Sequence, residues 1–81
     1  MKYVILNHPT LGMQIRTGLS PQTHEQLSAT LVSLGYTPTS AGFLRLTLLD
    51  RIETFGRSSS LNLGPNLDGS DALLLTLFYK A

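Results

Sequence analysis

Between Ser20 and Pro38 the chain carries both ends of a helix and the stripe it buries, and this segment limits what the remainder can form. Ser20 suits the N-cap, because its hydroxyl can accept from a free backbone N–H of the first turn. Pro21 suits the first helical position, where its missing N–H leaves nothing unpaired. Leu27, Leu31 and Leu34 fall at i, i+4 and i+7, while Gln22, Glu25, Gln26, Ala29 and Ser33 lie away from that stripe. His24 sits about 50° from the stripe's centre at 100° per residue, which makes it a core-boundary side chain held by packing and a hydrogen bond. Gly35 is placed for a left-handed C-terminal cap, and Thr37-Pro38 stops the helix.

On either side of this helix the period falls to two. KYVILN (Lys2–Asn7) is a short aromatic and β-branched run closed by Asn-His-Pro, and both of its parities are apolar, the mark of a strand covered on two faces. In TLGMQIRTG, Leu11, Met13 and Ile15 alternate with Gly12, Gln14 and Arg16, a strand with one buried face, and the short His8–Pro9 link joins the two runs as an antiparallel hairpin. After a Thr/Ser/Ala/Gly connection, GFLRLTLLD sets Leu44, Leu46 and Leu48 against Phe43, Arg45 and Thr47. RIETFGR continues the alternation beyond a turn at Leu49-Asp50. The run SDALLLTLFYKA (Ser70–Ala81) has Ser70 as N-cap, Asp71 at the positive end of the helix dipole and Lys80 at the negative end. Its alanine and leucine content favours a helix over the strand that Asp68-Gly69 would otherwise introduce.

The expected fold is therefore α+β, one domain over 1–81, in the order ββαββα. A four-stranded, mostly antiparallel sheet would pack two helices on one face. Helix one would supply Leu27, Leu31 and Leu34 to the core, and the strands Leu11, Met13, Ile15, Leu44, Leu46, Leu48 and Ile52.

Composition narrows function mainly by exclusion. Charged residues make up 14% of the 81 positions, against about 25% in ordinary proteins, so little charge opposes self-association. The net charge of +1 gives no strong field for nucleic acid or an acidic membrane surface. The absence of cysteine rules out disulfides, thiolate metal sites and cysteine nucleophiles, and fits a cytoplasmic protein. The initial apolar run is too short for a signal peptide or a membrane span.

Local motifs argue against catalysis. A phosphate loop needs a second glycine five residues after the first and then lysine, but Gly56 is followed by Leu61 and Asn62. The dinucleotide pattern fails because Gly56 and Gly64 are eight apart. Arg57 with Ser58, Ser59 and Ser60 retains the chemistry of an anion site without a named motif. Two histidines on separate elements provide no metal-ligand spacing, and the carboxylates show no convergent pair. No catalytic residue, metal or cofactor is expected.

Strand parity gives the most specific expectation. The parity opposite the leucines collects Arg16, Phe43, Arg45, Arg51, Phe55 and Arg57, four of the six basic residues and two of the three phenylalanines. Arginine and aromatics are enriched at the cores of protein interfaces. The reading is a non-catalytic interaction module that forms a homodimer, or meets another protein, through a sheet face opposite the helices. The alternative is a single-stranded nucleic-acid platform, with bases on the rings and phosphates on the guanidinium groups. A third reading is an anion-binding domain or small enzyme centred on Arg57 and Ser58 to Ser60.

Overall fold

A strand apolar on both sides needs cover on both sides, and the structure supplies a helix for each. A computed structural model describes residues 1–80. Strand β1 (Lys2–His8) is followed by β2 (Gly12–Gly18), α1 (His24–Ser33), β3 (Thr37–Leu46), β4 (Ile52–Phe55) and α2 (Ser70–Lys80). The four strands form one sheet in the order β2-β1-β3-β4, and every neighbouring pair is antiparallel. The α+β class, the element order and the helical state of α2 are as the sequence indicates.

The placement of both helices on one face is corrected. Tyr3 and Ile5 pack with Ile15, Leu44 and the α2 residue Leu75 on one face. Val4 and Leu6 pack with Tyr36, Ala41 and the α1 residues Leu31 and Leu27 on the other. The leucine parity of the outer strands describes the α2 face alone. The second apolar parity of β1 is what demands α1, because a central strand left bare on one side would keep Val4 and Leu6 in water.

Within that frame α2 covers only the middle of its face. Ile15 and Leu44 are buried and Ile52 is partly so, but Leu11, Met13, Leu46 and Leu48 remain exposed. Leu48 lies in the β3–β4 turn, where the Thr47 N–H bonds to the Arg51 carbonyl at 2.7 Å. Leu34 is also exposed, because it is the C-cap of α1 and the chain leaves the helix there. Gly35 follows at φ +95°, as its cap position requires.

The N-terminus of α1 is later than Ser20 predicts. Thr23 is the N-cap, accepting from the Gln26 N–H at 3.1 Å, while Gln26 Oε1 accepts from the Thr23 N–H at 2.8 Å. This reciprocal pair satisfies two donors at once, more than Ser20 alone would do. The Thr/Ser/Ala/Gly stretch before Phe43 is strand rather than connection, forming the first half of β3. Its small residues fit a crowded path: a side chain at Gly42 would meet the Phe55 carbonyl at 2.9 Å and Pro65 at 3.1 Å.

Candidate functional site

Phe43, Phe55, Arg45 and Arg16 share the α1 face, so they flank a helix instead of forming an open platform. Phe43 on β3 is paired in register with Phe55 on β4, and their rings stack at 5.6 Å with 26° between planes. The ring of His24 meets Phe43 edge-on at 5.2 Å. Its Nε2–H donates to the Gly42 carbonyl at 2.7 Å, since a carbonyl only accepts. His24 is thus the packed, hydrogen-bonded histidine that its helical angle indicates.

Charge completes the row. The Arg45 guanidinium lies 4.9 Å from the centre of the Phe55 ring, and its Nε donates to Glu53 Oε2 at 3.0 Å. The Lys2 ammonium stands 5.9 Å from the Phe43 ring, a neighbour that strand parity did not single out. The other predicted members lie apart. Arg16 faces the same side but sits on β2, opposite Val4, with β1 between it and Phe43. Arg51 is in the β3–β4 turn, its N–H on Thr47 Oγ1. Arg57 lies against Gly64 and donates to Asn62 Oδ1 at 3.5 Å. Structure therefore gathers Phe43, Phe55 and Arg45, while Arg16, Arg51 and Arg57 are dispersed.

The serine loop has an internal occupation. Ser58 pairs with Leu63 through two backbone hydrogen bonds, and its buried Oγ accepts from the Leu61 N–H at 3.1 Å. Ser60 Oγ accepts from the Glu25 N–H at 3.2 Å, so this loop satisfies a donor in the first turn of α1. Ser59 is exposed. Among the described residues no hydrogen bond joins Arg57 to these serines. The hydroxyls of Ser58 and Ser60 are turned to backbone partners.

An exposed apolar surface on α2 is one that parity did not reveal. Helix α2 buries Leu75 but leaves Leu73 63% and Leu77 57% exposed, one turn apart on the same side. Phe78 and Tyr79 are exposed beside them. Two grooves run along its flanks. One, of about 420 Å³, lies between α2 and β2 and includes Met13, Ile15, Leu74, Leu77 and Phe78. The other, of about 400 Å³, lies toward β3 and β4 and includes Leu44, Leu46, Ile52 and Tyr79. The all-round apolar character of Ser70–Ala81 is the sequence signal for this surface. In a helix covering one sheet face, the excess leucines have only solvent to meet.

Under α2 lies a polar latch. The Tyr3 hydroxyl donates to Asp71 Oδ2 at 2.7 Å, and Asn66 donates its backbone N–H and side-chain amide to the same carboxylate at 3.2 and 2.9 Å. Burial first, and then the adjacent Asp71 carboxylate, push the Tyr3 phenol far above its ordinary value. Asp71 is not the simple dipole residue its position suggested. It is a fully buried acceptor that fixes the start of α2 to β1.

Among the described residues no three His, Asp or Glu side chains gather as a metal site, and no helix is long and apolar enough to cross a membrane. Comparison with protein-family models, curated proteins and solved structures gives no match for the chain.

Proposed function

We propose that this chain is a non-catalytic protein-interaction module of the cytoplasm that forms a homodimer, with the α2 face as its contact surface. The carrying observation is the solvent-facing Leu73 and Leu77 pair on a helix flanked by two apolar grooves. Contiguous apolar surface of this kind marks interaction sites on small proteins. Arg16 and Arg45 lie at the rims of the two grooves, and Arg45 is paired with Glu53. Asp71, the acidic residue of α2, is buried and hydrogen-bonded within the fold. A homodimer interface of about 800 Å² per subunit would use roughly 15% of the 5246 Å² surface. The absence of cysteine supports the cytoplasmic assignment.

Sedimentation velocity across a concentration series tests this reading. The expected result is a dimer at tens of micromolar that dissociates on Leu77→Glu while the far-ultraviolet CD spectrum is kept. A wild-type chain that stays monomeric at high micromolar concentration overturns it.

A second reading draws on the stacked Phe43 and Phe55 rings, with Arg45 and Lys2 beside them. Phe55 is 42% exposed, which leaves a face on which a base could stack. Glu53 engages the Arg45 charge, and this weakens the case for phosphate contact. Fluorescence anisotropy with a labelled oligothymidylate at low salt decides it. Binding that fades steeply with salt supports the reading, and a flat titration removes it.

A further inference from the structure

The sheet has two edges, and they are not alike. Strand β4 is four residues long and carries the Arg45–Glu53 ion pair across its inner side, with Arg51 and Arg57 just beyond its ends. Short length and charge are the usual means of blunting an edge. Strand β2 has seven residues, no proline, one charge (Arg16) and an unbroken register against β1.

The hydrogen-bond phase of β2 follows from its neighbours. Met1 and Leu44 exchange both backbone hydrogen bonds, at 2.8 and 3.4 Å, so Met1 directs its polar groups toward β3. Alternation along an antiparallel strand then directs Tyr3 and Ile5 to β3, and Lys2, Val4, Leu6 and His8 to β2. Their partners are Gly18, Arg16, Gln14 and Gly12. Met13, Ile15 and Thr17 consequently turn their N–H and C=O groups outward. The Ile15 carbonyl accepts from Arg16 Nη1 at 3.4 Å, and no other backbone group among the described residues bonds to this edge.

We infer that β2 is the seam of the homodimer, pairing antiparallel with β2 of a second copy about a twofold axis at Ile15. This deepens the self-association reading and rests on it. With the axis at Ile15, all the outward groups of Met13, Ile15 and Thr17 find partners: Ile15 meets the partner's Ile15, and Met13 meets the partner's Thr17. Arg16 then lies opposite the partner's Gln14, so the lone charge avoids its own copy. Moving the axis to Arg16 would set two arginines face to face, which destabilises a strand pair. Because an antiparallel pair related by an axis normal to the sheet keeps each face common, both α2 helices lie on the same side. The α2–β2 groove of each copy, which holds Met13, Leu74, Leu77 and Phe78, then opens toward its counterpart across the seam.

A charge-pair experiment on the full chain tests the register. Met13 is exposed, so lysine is tolerated there by the monomer. The variant Met13→Lys/Thr17→Lys places like charges in contact across the axis and is expected to raise the dimer dissociation constant at least tenfold. Met13→Lys/Thr17→Glu places opposite charges there and is expected to restore the dimer. A dimer lost in Leu77→Glu but indifferent to both pairs overturns the β2 seam and leaves the self-association reading in place. A monomeric wild type removes both. In the unmodified chain, amide exchange at Ile15 and Thr17 is expected to slow at least tenfold from the monomeric to the dimeric concentration range. Equal exchange in the two ranges overturns the seam.

Discussion

The Tyr3 hydroxyl and the Asp71 carboxylate meet at 2.7 Å across 68 residues of sequence, both fully buried where β1 passes beneath the start of α2. Two backbone-independent elements are thereby tied by a charge-assisted hydrogen bond, the stronger class of such contacts. Tyr3→Phe removes the donor while keeping the ring, leaving Asp71 with only its Asn66 partners. The expected loss is about 1–3 kcal/mol in urea unfolding, with the midpoint lowered and the slope unchanged.

The same pair sets a response to alkali. The folded-state value of Tyr3 is raised above the ordinary value of about 10, so the unfolded chain releases this proton first. The stability it contributes is fully present below pH about 10 and is lost as pH rises toward the folded value. Urea midpoints measured from pH 9 to 11 are expected to fall more steeply in the wild type than in Tyr3→Phe. Parallel slopes would contradict the latch.

At the start of α1 two caps act on neighbouring donors. Thr23 serves Gln26, and Ser60 reaches from the distant loop to Glu25. Thr23→Ala is expected to cost about 1 kcal/mol. Ser60→Ala is expected to cost less, because Glu25 is exposed and water can replace the hydroxyl. Denaturant unfolding of both variants gives the comparison, and a larger loss for Ser60→Ala would assign the loop a greater structural share.

Gly56 supports the aromatic stack. It lies at φ +69°, and a Cβ there would stand 2.8 Å from Phe43 Cδ2. Gly56→Ala combines backbone strain with displacement of that ring, so a loss above about 1 kcal/mol is expected, with an altered near-ultraviolet CD spectrum. An unchanged spectrum would show that the Phe43–Phe55 stack does not depend on this turn.

How far the fold could be read depended on whether each signal was local. The helix that ends at Gly35 and the two hairpins come from neighbouring residues, and these assignments hold, although the N-cap moves from Ser20 to Thr23 and Leu48 falls in a turn. The side on which each helix lies is a long-range property. It was written only in the double apolar parity of Tyr3 to Leu6, which was legible as a need for cover but did not say from where. The separation of Arg16 has the same origin, since parity assigns a face whereas strand order decides neighbours. Arg51 and Arg57 are apart because β4 is only Ile52–Phe55 and both lie beyond its ends. Ser60 and Asp71 stand out in the sequence for other roles, as an anion contact and a dipole residue. Their long-range partners Glu25 and Tyr3 were not legible because short polar side chains beside turns and helix starts have ordinary local uses.

The two-faced burial of β1 has a consequence for how the chain reaches this state. The two ββα halves look separable along the sequence, yet β1 takes β3 as a neighbour and half of its apolar side chains wait for Leu75. Neither half can close a core by itself. The molecule must fold as one cooperative unit through distant contacts, at a pace governed by its longest loop closures, not by its helices.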